Sequence, residues 1–134
     1  MQLSCNVIRG KNIESQHMVH AVVIDCEGKI IFSSGDPKHI TCVRSSLKPF
    51  QASATVSVGA AKSAGFLEEE IALMCASHNG EKIHVQTAKG MATKLGFNEK
   101  HYECGSHAPY DKKSRENASK KKYTAFHNNC SGKH

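Results

Sequence analysis

Ser45 and Lys48 stand three residues apart in the stretch Arg44-Ser45-Ser46-Leu47-Lys48-Pro49-Phe50, a spacing that can bring a hydroxyl and an amine to one side of a helical turn. There an uncharged Lys48 could take the proton of Ser45 and make its oxygen a nucleophile. A lysine loses its charge where burial disfavours the ammonium or where a neighbouring cation, here Arg44, repels it. The same residues also suit a plain helix start, with Ser45 or Ser46 as the cap, Pro49 in the first turn and Lys48 in water. Pro49 pushes the residue before it away from the α conformation, which predicts a turn-to-helix junction at Lys48. Two fixed positions in four recur by chance in many chains, so the rest of the sequence has to decide.

Three more polar words follow in order: Cys75-Ala76-Ser77-His78-Asn79-Gly80-Glu81, Cys104-Gly105-Ser106-His107 and Asn128-Asn129-Cys130-Ser131-Gly132-Lys133-His134. Together with the first they resemble the bacterial L-asparaginase II family of the rhizobial type, the asparaginases with paired serine and lysine catalytic groups. The resemblance runs from about Val7 to the last residue, and four ordered words are far more specific than one. It implies hydrolysis of L-asparagine to L-aspartate and ammonia, with Ser45 as nucleophile, Lys48 as its general base and Ser77 as a second active-site serine. The lysine partner of Ser77 would lie beyond His134. Arg44 would hold the substrate carboxylate, and His78, Asn79, Gly80 and Glu81 would help to fix the substrate. Cys130 and Lys133 would be zinc ligands completed by a cysteine further on, with no organic cofactor. The resemblance also implies a homodimer and an α+β fold, an antiparallel sheet flanked by helices of the serine β-lactamase and glutaminase type. Because His134 falls inside the fourth word, residues 1–134 are expected to be the amino-terminal part of an asparaginase domain.

Each of these residues has an ordinary reading beside the chemical one. Arg44 suits a surface ion pair, and Ser77 suits a turn serine bonded to its own backbone. His78 is adjacent to Ser77 and adjacent side chains point apart, so it is not expected to be the base. A thiolate is a good zinc ligand and a lysine an unusual one, since it must first lose a proton. Cys104, His107, His127 and His134 lie near in sequence, but their spacing follows no zinc-finger pattern. A non-catalytic remnant or a basic interaction module is therefore the competing reading.

The chain has 134 residues, a single-domain length, and a net charge of +6. Lys112, Lys113, Lys120, Lys121 and Lys122 concentrate that charge late in the chain. Tyr110 and Tyr123 flank them without interleaving, and no nucleic-acid fold signature accompanies them, so a solvated face is expected and not a nucleic-acid partner. Six cysteines at wide, irregular spacings, with no secretory apolar stretch, predict reduced thiols in a cytoplasmic protein. No run reaches the 18 apolar residues of a membrane span.

The elements that must position these words are predicted as follows. Val19–Ile24 and Lys29–Phe32 form a hairpin around Asp25-Cys26-Glu27-Gly28. Pro49–Ala64 forms a helix rich in small residues, ended by Gly65. Glu68-Glu69-Glu70 starts a turn of helix, and Ile71–Cys75 is a buried strand or short helix. Lys82–Leu95 is an amphipathic helix with Ile83, Ala88, Met91 and Leu95 on one side. Asn98–Lys122 is a polar loop.

Overall fold

Gly10, at a φ of 63° that suits a residue without a Cβ, turns the chain back on itself so that β1 (Leu3–Arg9) and β2 (Asn12–Val19) pair antiparallel, with a register shift between Val7 and Ile8. This first hairpin was not expected from the mixed polarity of the amino terminus. The predicted second hairpin is present as β3 (Ala21–Ile24) and β4 (Ile30–Ser34). Asp25 closes its turn by accepting bonds from the backbone N–H groups of Glu27 and Lys29 at 3.0 and 2.8 Å. Ser34, 1% exposed, ties the hairpins: its Oγ accepts from Leu3 N at 2.7 Å and donates to Val19 O at 3.2 Å. The computed structural model describes residues 2–118 and 123–134 and divides into two compact units, Met1–Cys42 and Val43–His134.

The second unit is helical. A 3-10 turn over Arg44–Leu47 leads into α1 (Lys48–Ser57), followed by α2 (Ala60–Ser63), α3 (Glu68–Cys75), α4 (Lys82–Lys94) and α5 (Lys112–Ala118). The single helix expected over Pro49–Ala64 is thus two, because Gly59 adopts a left-handed φ of 77° between them. Ile71–Cys75 is helix, continuous with the three glutamates before it. The expected loop after Asn98 contains a 3-10 turn at Glu99–His101 and α5. Lys112 and Lys113 are exposed on α5, and Lys120, Lys121 and Lys122 lie outside the described residues.

Leu73, Ala88, Met91, Ala92 and Phe126 form the core of this unit, with Phe66, Met74, Val85 and Tyr102 packed against it. On α4 the buried stripe is Ala88, Met91 and Ala92, at the helical spacings of three and four. Ile83 and Leu95 are 66% and 47% exposed, since the stripe continues through His84 and not through its apolar neighbour. Glu70 and Lys94 clamp α3 to α4 at 2.6 Å, and the same ammonium donates to Gly65 O at 2.7 Å. The two small antiparallel sheets with helices are an α+β arrangement, as expected. No helix among the described residues is long and apolar enough to cross a membrane.

Candidate active site

Packing of α1 against α3 brings the first two polar words together. Lys48 opens α1 and is 2% exposed, and its Nζ donates to Ala76 O at 2.5 Å and to Ser77 Oγ at 2.8 Å. Lys48 takes α dihedrals, φ −57° and ψ −42°, although Pro49 follows it. The two bonds at its far end anchor the side chain and offset that local preference.

The side-chain hydroxyl that Lys48 meets is therefore that of Ser77. Ser45 is exposed, and its Oγ makes no hydrogen bond with Lys48 among the described residues. The backbone of Ser45 does meet Lys48, through Lys48 N to Ser45 O. Arg44, just before it, is exposed and has a left-handed φ of 47°, which costs a residue with a Cβ about 1 kcal/mol. No acidic partner to Arg44 is present among the described residues.

The second word runs directly from the end of α3 into a turn that caps α4. Ser77 and Asn79 are exposed, Glu81 is half-buried at the N-cap of α4, and Gly80 is buried. Gly80 has φ 75°, and a Cβ there would lie 3.0 Å from Pro109 Cβ, so two independent constraints favour glycine.

His78 points inward from this turn and is 4% exposed. Its Nδ1 accepts from Gly80 N at 3.0 Å, so the ring proton sits on Nε2 and is donated to Ser131 Oγ at 2.9 Å. Ser131 in turn donates to Phe126 O at 3.2 Å. Burial lowers the pKa of His78 from 6.5 to about 4, helped by the neighbouring charges of His84, Lys48, His107 and His127. Both ring nitrogens of His78, for which the resemblance implies a part in fixing the substrate, are thus engaged within the chain.

The third and fourth words complete the assembly. Asn128 Nδ2 donates to Cys104 O at 3.1 Å while its Oδ1 accepts from Cys130 N at 3.0 Å. Asn129 N donates to His107 Nε2 at 3.0 Å, and Asn129 O accepts from His78 N at 3.0 Å. Gly132 lies against α3 so closely that a Cβ would fall 2.5 Å from Leu73 O. His134 is held below the usual histidine range by partial burial and by the cations of Lys133 and Lys48.

Cys130 and Lys133 share one turn, closed by Lys133 N to Cys130 O at 2.9 Å. They offer a zinc ion two donors. Burial holds the neighbouring Cys104 thiol above its usual range, and Cys130 adds to that against a backbone hydrogen bond and Lys133, which disfavours a second thiolate. Among the described residues no three His, Cys, Asp or Glu side chains gather to hold a metal.

Sequence reasoning missed Ser131, Asn128 and Asn129 as structural links. All three sit inside a word that was singled out, but nothing in the spacing shows which side chains turn inward. No curated protein matches this chain. The model of the L-asparaginase II family matches residues 5–134, and the chain belongs to that family of L-asparaginases.

Proposed function

We propose that this site hydrolyses the side-chain amide of L-asparagine, with Ser45 as nucleophile, Lys48 as base and Ser77 as the hydroxyl that passes the proton on. The observation that carries this reading is the buried Lys48 Nζ at 2.8 Å from Ser77 Oγ, a contact between groups 29 positions apart that a surface lysine has no reason to make. Ser45 attacks the carboxamide carbon and its proton moves to the amine form of Lys48. The resulting ammonium gives a proton to Ser77 Oγ as Ser77 releases its own to the amide nitrogen, the C–N bond breaks, and ammonia leaves. Water then follows the same route in reverse and frees L-aspartate. Arg44, exposed and without an acidic partner among the described residues, suits the α-carboxylate of the substrate. Its left-handed backbone beside Ser45 is the kind of strain that collects at functional sites.

One observation favours a second reading: the hydroxyl that touches Lys48 is that of Ser77, so Ser77 could be the attacking group. Reaction with an asparagine-derived diazoketone, followed by peptide mapping, separates the two. Label on Ser45, with ammonia release abolished by Ser45→Ala, supports the first reading; label on Ser77 moves the attack there. Ammonia release that survives Lys48→Met removes the mechanism, and a folded chain that releases none favours a non-catalytic module. Zinc at Cys130 and Lys133, and a homodimer, are separate proposals resting on family resemblance. Metal content that is equal before and after Cys130→Ala would sink the first, and a monomer in sedimentation the second.

A further inference from the structure

At His78 both ring nitrogens and the backbone N–H are engaged within the chain. Nδ1 is taken by Gly80 N at 3.0 Å, Nε2 by Ser131 Oγ at 2.9 Å, and the backbone N–H by Asn129 O at 3.0 Å. Ser131 is 1% exposed and passes the link to Phe126 O in the core at 3.2 Å. Ser77 is the residue immediately before His78 and is exposed, so within its own turn its position is set by Ala76 on one side and by His78 on the other.

We propose that His78 is a positioning residue, which through Ser131 couples the Ser77 turn to the Cys130 turn and so sets the distance between Ser77 Oγ and Lys48 Nζ. A neutral imidazole suits this role because it offers one acceptor to Gly80 and one donor to Ser131, whereas an imidazolium would set a second N–H against that of Gly80. Ser131 lies between Cys130 and Gly132, so the Cys130 turn is tied to the residue after Ser77 through the one Ser131–His78 hydrogen bond. An error of about 1 Å at a reacting group can cost about 100-fold in rate, so a smaller shift of Ser77 on loss of one hydrogen bond is expected to cost less than that. The catalytic effect rests on the hydrolase reading above, whereas the coupling itself does not.

The test is Ser131→Ala, which keeps the imidazole and removes only its far partner, followed by His78→Gln, whose amide can still donate towards Ser131, and His78→Leu, which can do neither. Two readouts are taken on each: asparagine hydrolysis, and hydrogen exchange of a peptide spanning residues 76–81. The expected result is a fall in kcat of about 10-fold for Ser131→Ala with KM within about twofold, faster exchange at 76–81, and partial rescue by His78→Gln relative to His78→Leu. Unchanged exchange at 76–81 in Ser131→Ala overturns the coupling, and so does a rise in KM alone, which would put these residues at the substrate. Faster exchange in a protein that never releases ammonia keeps the coupling and removes the hydrolase reading. If His78→Leu does not fold, Ser131→Ala decides the question by itself.

Discussion

A lysine that is 2% exposed must find acceptors for its ammonium or give up its proton, and Lys48 has Ala76 O and Ser77 Oγ within 2.8 Å. Lys48→Met keeps the length and apolar stem of the side chain and removes only the amine. It is expected to lower ammonia release by about 100-fold or more while the far-ultraviolet circular dichroism stays that of the parent. His78 supplies a second expectation. Its pKa is about 4 in the fold against an ordinary 6.5, so the unfolded chain takes up this proton first as pH falls. The stability that comes from keeping His78 neutral is complete above pH 6.5 and is lost progressively towards pH 4. The groups facing it, His84, Lys48, His107 and His127, carry no negative charge, so none of them favours the imidazolium. Melting temperatures across that interval should fall more steeply in the parent than in His78→Gln, which has nothing to titrate there. At this scale the words were readable as types and spacing, and Lys48 was singled out there as the base for Ser45. Its choice of Ser77 was not readable, because a contact across 29 positions depends on how two helices pack.

At the scale of elements, turns decide more than helices do. Gly80→Ala adds a methyl where φ is 75° and Pro109 Cβ is 3.0 Å away, and it should cost roughly 1–3 kcal/mol in denaturant unfolding. Glu70 is a comparable point on α3. Burial works against its charge, but hydrogen bonds from Lys94 and Leu67 N, together with the Lys94 charge, outweigh that and hold its carboxyl below the usual 4.5. Stability from this group is therefore present above pH 4.5 and is lost as pH falls through the lowered value. Glu70→Gln should cost about 1–3 kcal/mol near neutrality and flatten that acid limb. The second hairpin was legible from its β-branched residues and Asp25-Cys26-Glu27-Gly28 turn, and α4 from its period. The break at Gly59 was not, because alanines on both sides favour helix, and a single glycine inside a helical pattern does not announce whether it will be tolerated. Ile83 was misplaced for a related reason: apolar character pointed to burial, whereas the registry set by Ala88, Met91 and Ala92 turns His84 inward and leaves Ile83 66% exposed.

At the scale of the whole chain, every group in the proposed site belongs to the unit Val43–His134, while the hairpins make up Met1–Cys42. Residues 43–134 expressed alone should therefore keep slow hydrogen exchange at the Ser77 turn, and exchange as fast as in urea would show that the hairpins are needed to form it. The hairpins carry large apolar side chains in water, with Ile8 61%, Ile13 60%, Met18 76% and Ile31 63% exposed. Surfaces of this kind commonly associate, so sedimentation should show concentration-dependent self-association that Ile13→Lys and Ile31→Lys reduce. An α+β class was legible from strands early and helices late, but the division into two units was not, since it depends on contacts that no local pattern encodes.

Gly132 rests against the Leu73 carbonyl with no room for a Cβ, and the consequence reaches beyond one position. The stretch around it lies directly against the backbone near the end of α3, so the seat of the last residues depends on a side chain that is absent. A library randomised at position 132 and screened for soluble product should return glycine almost alone, whereas the same library at Lys133, one step further into solvent, should return nearly every amino acid.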